Sequence, residues 1–130
     1  MPATLGFTPA IAVSADQKAE YLRFARSAAR AAGEAILPYF RSRLQVENKR
    51  EDGGFDPVTL ADQAGERVIR TAIEKDYPEH GIFGEEYGLT PGNGLTWVID
   101  PIDGTRAFMT GMLHWGVLLA LFDGEQPIVG

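Results

Sequence analysis

Two carboxylates three residues apart, Asp100 and Asp103, interrupt the run Trp97-Val98-Ile99-Asp100-Pro101-Ile102-Asp103-Gly104-Thr105. Leu95 to Ile99 is an apolar run that reads as a buried strand, and Pro101 has no ladder N–H to give, so the strand is expected to stop near Asp100. Both acids then stand at a strand end. Beyond them Gly104 lets the backbone approach a ligand closely, and Thr105 to Phe108 can open a helical turn whose free N–H groups meet an anion. Hard oxygen donors beside a phosphate cradle suit Mg²⁺ better than zinc. Taken alone, Asp beside Pro and Gly is also ordinary turn chemistry.

Two further acidic blocks precede this one, Asp56-Pro57-Val58-Thr59-Leu60-Ala61-Asp62 and Gly84-Glu85-Glu86. The neighbouring Glu85 and Glu86 repel each other unless a cation or solvent offsets the charge, and an exposed acidic loop is the plain alternative. Thr59 and Asp62 fit the Ser/Thr-x-x-Asp/Glu capping pattern at a helix start, which accounts for both structurally. Asp56 shapes the loop before Pro57. His80 follows a helix stop and His114 precedes a strand, both common surface settings, and neither belongs to a motif. Trp97 and Trp115 read as packing residues. Lys49 and Arg50 are solvated loop charges or phosphate-facing cations, and Arg106 either meets a substrate anion or complements the acidic site. The absence of a Gly-rich P-loop argues against nucleoside triphosphate chemistry.

With these blocks in this order, the sequence resembles the inositol monophosphatase superfamily of Mg²⁺-dependent phosphomonoesterases, whose signature Asp-Pro-Ile-Asp-Gly-Thr stands unbroken at Asp100 to Thr105. The similarity runs from roughly Ala25 to Gly130. Within the superfamily, Arg106-Ala107-Phe108-Met109-Thr110-Gly111 followed by Trp115-Gly116 looks most like the histidinol-phosphate phosphatase branch. Inositol phosphatases usually carry Thr-Asn-Phe after the signature, from which Arg106-Ala107 departs.

The resemblance implies that Glu85, Asp100, Asp103 and the backbone carbonyl of Ile102 are ligands of two or more Mg²⁺ ions. It also implies that Gly104 and Thr105 bind phosphate through their N–H groups, with Glu85, Asp62 and Thr105 as catalytic residues. The Thr105 hydroxyl and Asp62 would orient the attacking water, and Glu86 would support Glu85. The implied substrate is a small phosphate monoester: histidinol phosphate in histidine biosynthesis, or an inositol or related sugar phosphate. An inactive fragment or non-catalytic assembly module is the reading of another class. Similar proteins are about twice as long and usually homodimeric. Residues 16–130 are therefore expected to form the amino-terminal half of a larger phosphatase, behind a loose leader at 1–15. A further Asp from the other half would complete the second metal site.

The elements that must hold these residues follow from periodicity. Ser14 or Asp16 can cap a first helix running to about Arg43, with Leu22, Ala25, Ala29, Ala32, Ile36 and Phe40 facing the core and a kink at Pro38. Leu44 to Glu47 alternates like a short strand, and Lys49 to Phe55 reads as a loop. A second helix is expected from about Leu60 to Asp76, with Ala61, Ala64, Val68, Ile69, Ala72 and Ile73 inward. Gly81 to Phe83 is a short strand, Tyr87 to Gly94 a surface loop, and Gly116 to Phe122 a strand that the Asp123-Gly124 turn joins to a partner at Gln126 to Gly130. Two long helices on a largely antiparallel sheet give an α+β fold. By resemblance it is the first αβ half of a layered αβαβα sugar-phosphatase fold. An open strand edge at the end favours association.

Among 130 residues, 45% hydrophobic content is enough for a core, and the formal net charge of −6 argues against nucleic-acid or anionic-membrane partners. Zero cysteines exclude disulfide and thiol chemistry and fit a cytoplasmic setting. No apolar stretch reaches the ~18 residues a membrane span needs, and Leu5 to Val13 lacks the basic start of a signal peptide.

Overall fold

Ser14 begins the first helix with a reciprocal cap: its hydroxyl accepts from the Gln17 N–H at 3.1 Å while the Gln17 side chain accepts from the Ser14 N–H at 2.9 Å. The computed structural model describes residues 11–41 and 57–130. Helix α1 spans Ala15–Ile36 and buries Tyr21, Ala25, Ala28, Ala32 and Ile36. The buried stripe is thus turned slightly from the expected one. Tyr21 and Ala28 are buried, whereas Leu22 and Ala29 are only half-buried, because α1 must face a second helix as well as the sheet.

The α1 helix ends before Pro38 rather than kinking at it, and Leu37–Tyr39 form a 3₁₀ turn. Pro38 has no N–H for an α-helical bond, and its fixed φ suits a tight turn. Helix α2 spans Pro57–Asp76. It starts earlier than expected, with proline in the first helical position, where a missing N–H costs nothing. Thr59 therefore lies inside the first turn and is not the cap. The expected strand at Leu44 to Glu47, the loop at Lys49 to Phe55 and Asp56 lie outside the described residues.

Strands β1 (Gly81–Gly84), β2 (Gly88–Thr90), β3 (Thr96–Asp103), β4 (Gly116–Phe122) and β5 (Pro127–Val129) form one sheet in the order β2-β1-β3-β4-β5. A five-residue helix, α3 (Thr105–Met109), lies between β3 and β4. The β1/β3 pair is parallel and the other pairs are antiparallel, so the sheet is mixed. Two expectations are corrected here. Strand β2 occupies part of the expected surface loop at Tyr87 to Gly94. Strand β3 continues through Pro101 to Asp103, with its register against β4 shifting between Asp100 and Asp103. Such an irregularity is where a strand tolerates a residue that cannot donate.

Trp97, Ile99, Ile82, Leu119 and Leu121 on one sheet face pack against Tyr21, Ala25, Ala28, Ala32, Ile69 and Ile73 of the two long helices. Each large apolar side chain buried this way contributes about 1.5–3 kcal/mol. A second cluster of Ile36, Ala61, Ile102 and Phe108, with Phe40 and Trp115 packed on it, lies under the bend from β3 into α3. On the other sheet face Phe83, Val98 and Ala120 share a cross-strand row, and Asp100 sits opposite Leu118. Phe83 and Leu118 are 46% and 51% exposed, so this face is uncovered.

The hairpin expected at Asp123-Gly124 forms: the Asp123 carboxylate accepts from the N–H groups of Glu125 at 2.9 Å and Gln126 at 3.0 Å. Those donors hold its pKa below the usual carboxylate range. The Ile11 N–H donates to the Asp123 carbonyl at 3.0 Å, and Ile11 and Val13 pack on the core. The expected loose leader is thus docked over residues 11–14, its earlier part lying outside the described residues. Strand β5 pairs only with Leu121 and Phe122. Beyond it, an apolar groove of about 540 Å³ runs between β4 and the Leu22, Ala25, Arg26 and Ala29 side of α1, with Asp100 among its lining residues.

His80, expected at the surface, is buried at 8% exposure. It stacks on Tyr77 at 4.8 Å, and the Trp97 indole N–H donates to His80 Nδ1 at 3.0 Å. Burial pushes its pKa down, against a smaller opposing pull from Glu79. The folded state thus favours neutral His80, whose Nδ1 must stay unprotonated to accept. This contribution to stability is complete above the unfolded histidine pKa of about 6.5 and is lost as pH falls below it toward the depressed folded value. Thermal melts between pH 7.5 and 5 should show His80→Gln losing less stability than the wild type on acidification. Parallel slopes for the two proteins would refute the assignment.

No helix among the described residues is long and apolar enough to cross a membrane.

Candidate metal and phosphate site

The parallel register of β1 and β3 sets Gly84 against Ile99, so Glu85, just past the end of β1, comes beside Asp100, which stays within β3 opposite Leu118. Asp103 lies three residues on, across the bulge and opposite Gly116 of β4. Asp100 is half-buried, whereas Glu85 and Asp103 are exposed. Burial pushes the Asp100 carboxyl above its usual pKa, and the charges of Glu85 and Asp103 push it further. Three acids from two strand ends therefore share one electrostatic field, and a divalent cation is the group that relieves such repulsion. Among the described residues no three His, Cys, Asp or Glu side chains are gathered as a finished metal cage. The donors are nevertheless all hard oxygens, which fits Mg²⁺. Glu86 is half-buried, and burial, then Glu66 and Glu85, raise its pKa.

Gly104 adopts the left-handed conformation at φ +93° and caps α3. A Cβ there would lie 2.8 Å from the His114 carbonyl oxygen and 3.2 Å from the Trp115 Cα, so the bend closes only with glycine. Helix α3 is too short for a macrodipole to matter, and what it offers an anion is individual N–H groups left without intrahelical acceptors. The Thr105 hydroxyl lies 3.4 Å from the Ile102 carbonyl, toward which it donates. Ile102 and Phe108 are buried with Ala61 of α2, and this packing holds the start of α2, including the half-buried Asp62, against the bend. Arg106 and His114 are exposed. Lys49 and Arg50 lie outside the described residues.

A profile of the inositol monophosphatase family matches residues 17–130. The chain belongs to the inositol monophosphatase family. Histidinol-phosphatase from Chlorobaculum parvum is 48% identical over 102 residues, covering 77% of this chain and 38% of that protein. Nus factor SuhB from Pseudomonas aeruginosa is 46% identical over 105 residues, covering 76% of this chain and 38% of that protein. In a solved inositol monophosphatase from Zymomonas mobilis, the likeness has a TM-score of 0.71 at 39% identity and covers 88% of this chain and 42% of that one. The chain thus spans well under half the length of these relatives. The likeness to histidinol-phosphatases read from the sequence is borne out, as is the α+β fold of this family.

One feature of this inositol monophosphatase family chain was missed in the sequence. Glu66 and Arg70 of α2 are buried, with Arg70 Nε 2.8 Å from the Glu66 carboxylate. The available signal was spacing: Glu66 falls three and seven residues before Ile69 and Ile73, which places a carboxylate on the core stripe.

Proposed function

We propose that this chain carries the amino-terminal part of the active site of a Mg²⁺-dependent phosphomonoesterase whose substrate is histidinol phosphate. The observation that carries the reading is the β1/β3 register, which sets Glu85 beside Asp100 at the strand end leading into Gly104 and α3. The names of the C. parvum and other histidinol-phosphatase relatives support the substrate. Glu85, Asp100, Asp103 and the Ile102 carbonyl would hold the ions. Bound there, a divalent cation neutralises phosphate charge, activates water and stabilises the leaving alkoxide.

The remaining work falls to the chain itself. The Gly104 and Thr105 N–H groups donate to phosphate oxygens and orient the ester. The Thr105 hydroxyl and the Asp62 carboxylate position the attacking water for in-line displacement, with Asp62 drawing on its proton. The exposed Arg106, directly after the phosphate turn, meets the anionic ester as it enters. The proposal extends to a cytoplasmic homodimer with no nucleic-acid or membrane partner.

Phosphate release by the full-length protein from histidinol phosphate and from inositol 1-phosphate, each with Mg²⁺ or with EDTA, tests the reading. We expect turnover that needs Mg²⁺ and favours histidinol phosphate. A preference for inositol phosphate would move the substrate to the sugar-phosphatase alternative. No Mg²⁺-dependent release from any ester would favour a non-catalytic module.

A further inference from the structure

We propose that Glu66 is a positioning residue that fixes the turn carrying Glu85, with Arg70 holding its carboxylate in place. This rests on the reading of Glu85 as a metal ligand. Glu66 is 0% exposed. One carboxylate oxygen accepts from the Glu86 N–H at 3.0 Å, and the other accepts from the Tyr87 N–H at 3.0 Å and from Arg70 Nε at 2.8 Å. A buried carboxylate on α2 is thus aimed at the two backbone donors directly after Glu85.

The residue before Glu85 completes the bracket. A Cβ on Gly84 would come 2.4 Å from the Glu66 carboxyl carbon, so glycine there is what lets the carboxylate reach the turn. Arg70 also donates to the Gly88 carbonyl and, at 3.2 Å, to the Thr90 hydroxyl, which fastens the outgoing strand β2 to the same helix. The Glu85 backbone is therefore pinned on both sides while its side chain stays exposed. Replacing a buried ion pair by apolar packing is often neutral or stabilising, so stability alone does not explain this one. Directed, charge-assisted bonds to specific N–H groups supply orientation. Both Glu66 oxygens are occupied by N–H donors, so it acts through Glu85 and is not a ligand itself.

The test is Mg²⁺ titration calorimetry on the full-length protein and its Glu66→Gln variant, with amide hydrogen exchange at Glu86 and Tyr87. Glu66→Gln should weaken Mg²⁺ binding by about 10- to 100-fold, the usual effect of losing a group that orients a ligand. It should also accelerate exchange at those two amides, and excess Mg²⁺ should restore part of kcat. Ile73→Val, a core change remote from the turn, should lower the melting temperature without altering Mg²⁺ affinity. Should Glu66→Gln not fold, Arg70→Lys, which keeps the charge but loses the planar fork, should show the same loss to a smaller degree. Wild-type Mg²⁺ affinity in a folded variant overturns the positioning role alone. Failure of the wild type itself to bind Mg²⁺ overturns the reading of Glu85 and this role with it.

Discussion

Asp103→Asn in the full-length protein should lower Mg²⁺-dependent phosphate release by about 10²- to 10³-fold, the scale on which losing one preorganised electrostatic partner of a reacting group is felt. Asn keeps the size and one oxygen but removes the charge. Asp103 is exposed at the end of β3, so little packing is at stake and the melting temperature should stay near that of the wild type. The pairing of lost activity with kept stability is the diagnostic outcome. Glu85→Gln should behave alike, since Glu85 is also exposed and neighbours Asp100 across the strand pair. Unchanged turnover in Asp103→Asn would remove Asp103 from the ligand set and leave it as a turn residue.

Gly104→Ala should damage both stability and turnover. A non-glycine residue at φ +93° costs about 1–2 kcal/mol before any contact is considered. The added Cβ would also meet the His114 carbonyl oxygen at 2.8 Å, and a backbone oxygen cannot swing aside as a side-chain tip does. Relief requires the β3–α3 bend to open, which carries the Thr105 N–H and hydroxyl away from their places. A displacement on the order of 1 Å in such a group costs about 10²-fold in rate. The expected result is a lowered melting temperature with kcat reduced by about that factor. A variant with wild-type stability and turnover would show that the bend tolerates a side chain and that the phosphate turn lies elsewhere.

The placement of the acidic residues beside short apolar strands was legible because its information is local: Asp100, Asp103 and Gly104 sit together in the chain, and Glu85 directly follows β1. The long helices were legible for the same reason, although α1 turned its stripe toward Tyr21 and Ala28. What the sequence concealed was decided by partners far away in the chain. Pro101 looked like a strand end, yet β3 runs past it because the bulge against β4 absorbs the missing donor. His80 looked exposed beside Pro78, yet Trp97, seventeen residues on, offers an N–H that pays for its burial. Glu66 drew no reading from the sequence because the backbone N–H groups that satisfy it, at Glu86 and Tyr87, are twenty and twenty-one residues away.

Asp100 belongs to two environments at once, since it lines the groove beside β4 as well as neighbouring Glu85 and Asp103. A segment that closed that groove would strip water from the same carboxylate that a cation would neutralise. Ion capture and closure of the groove would then be thermodynamically linked, each changing the free energy of the other by the same amount.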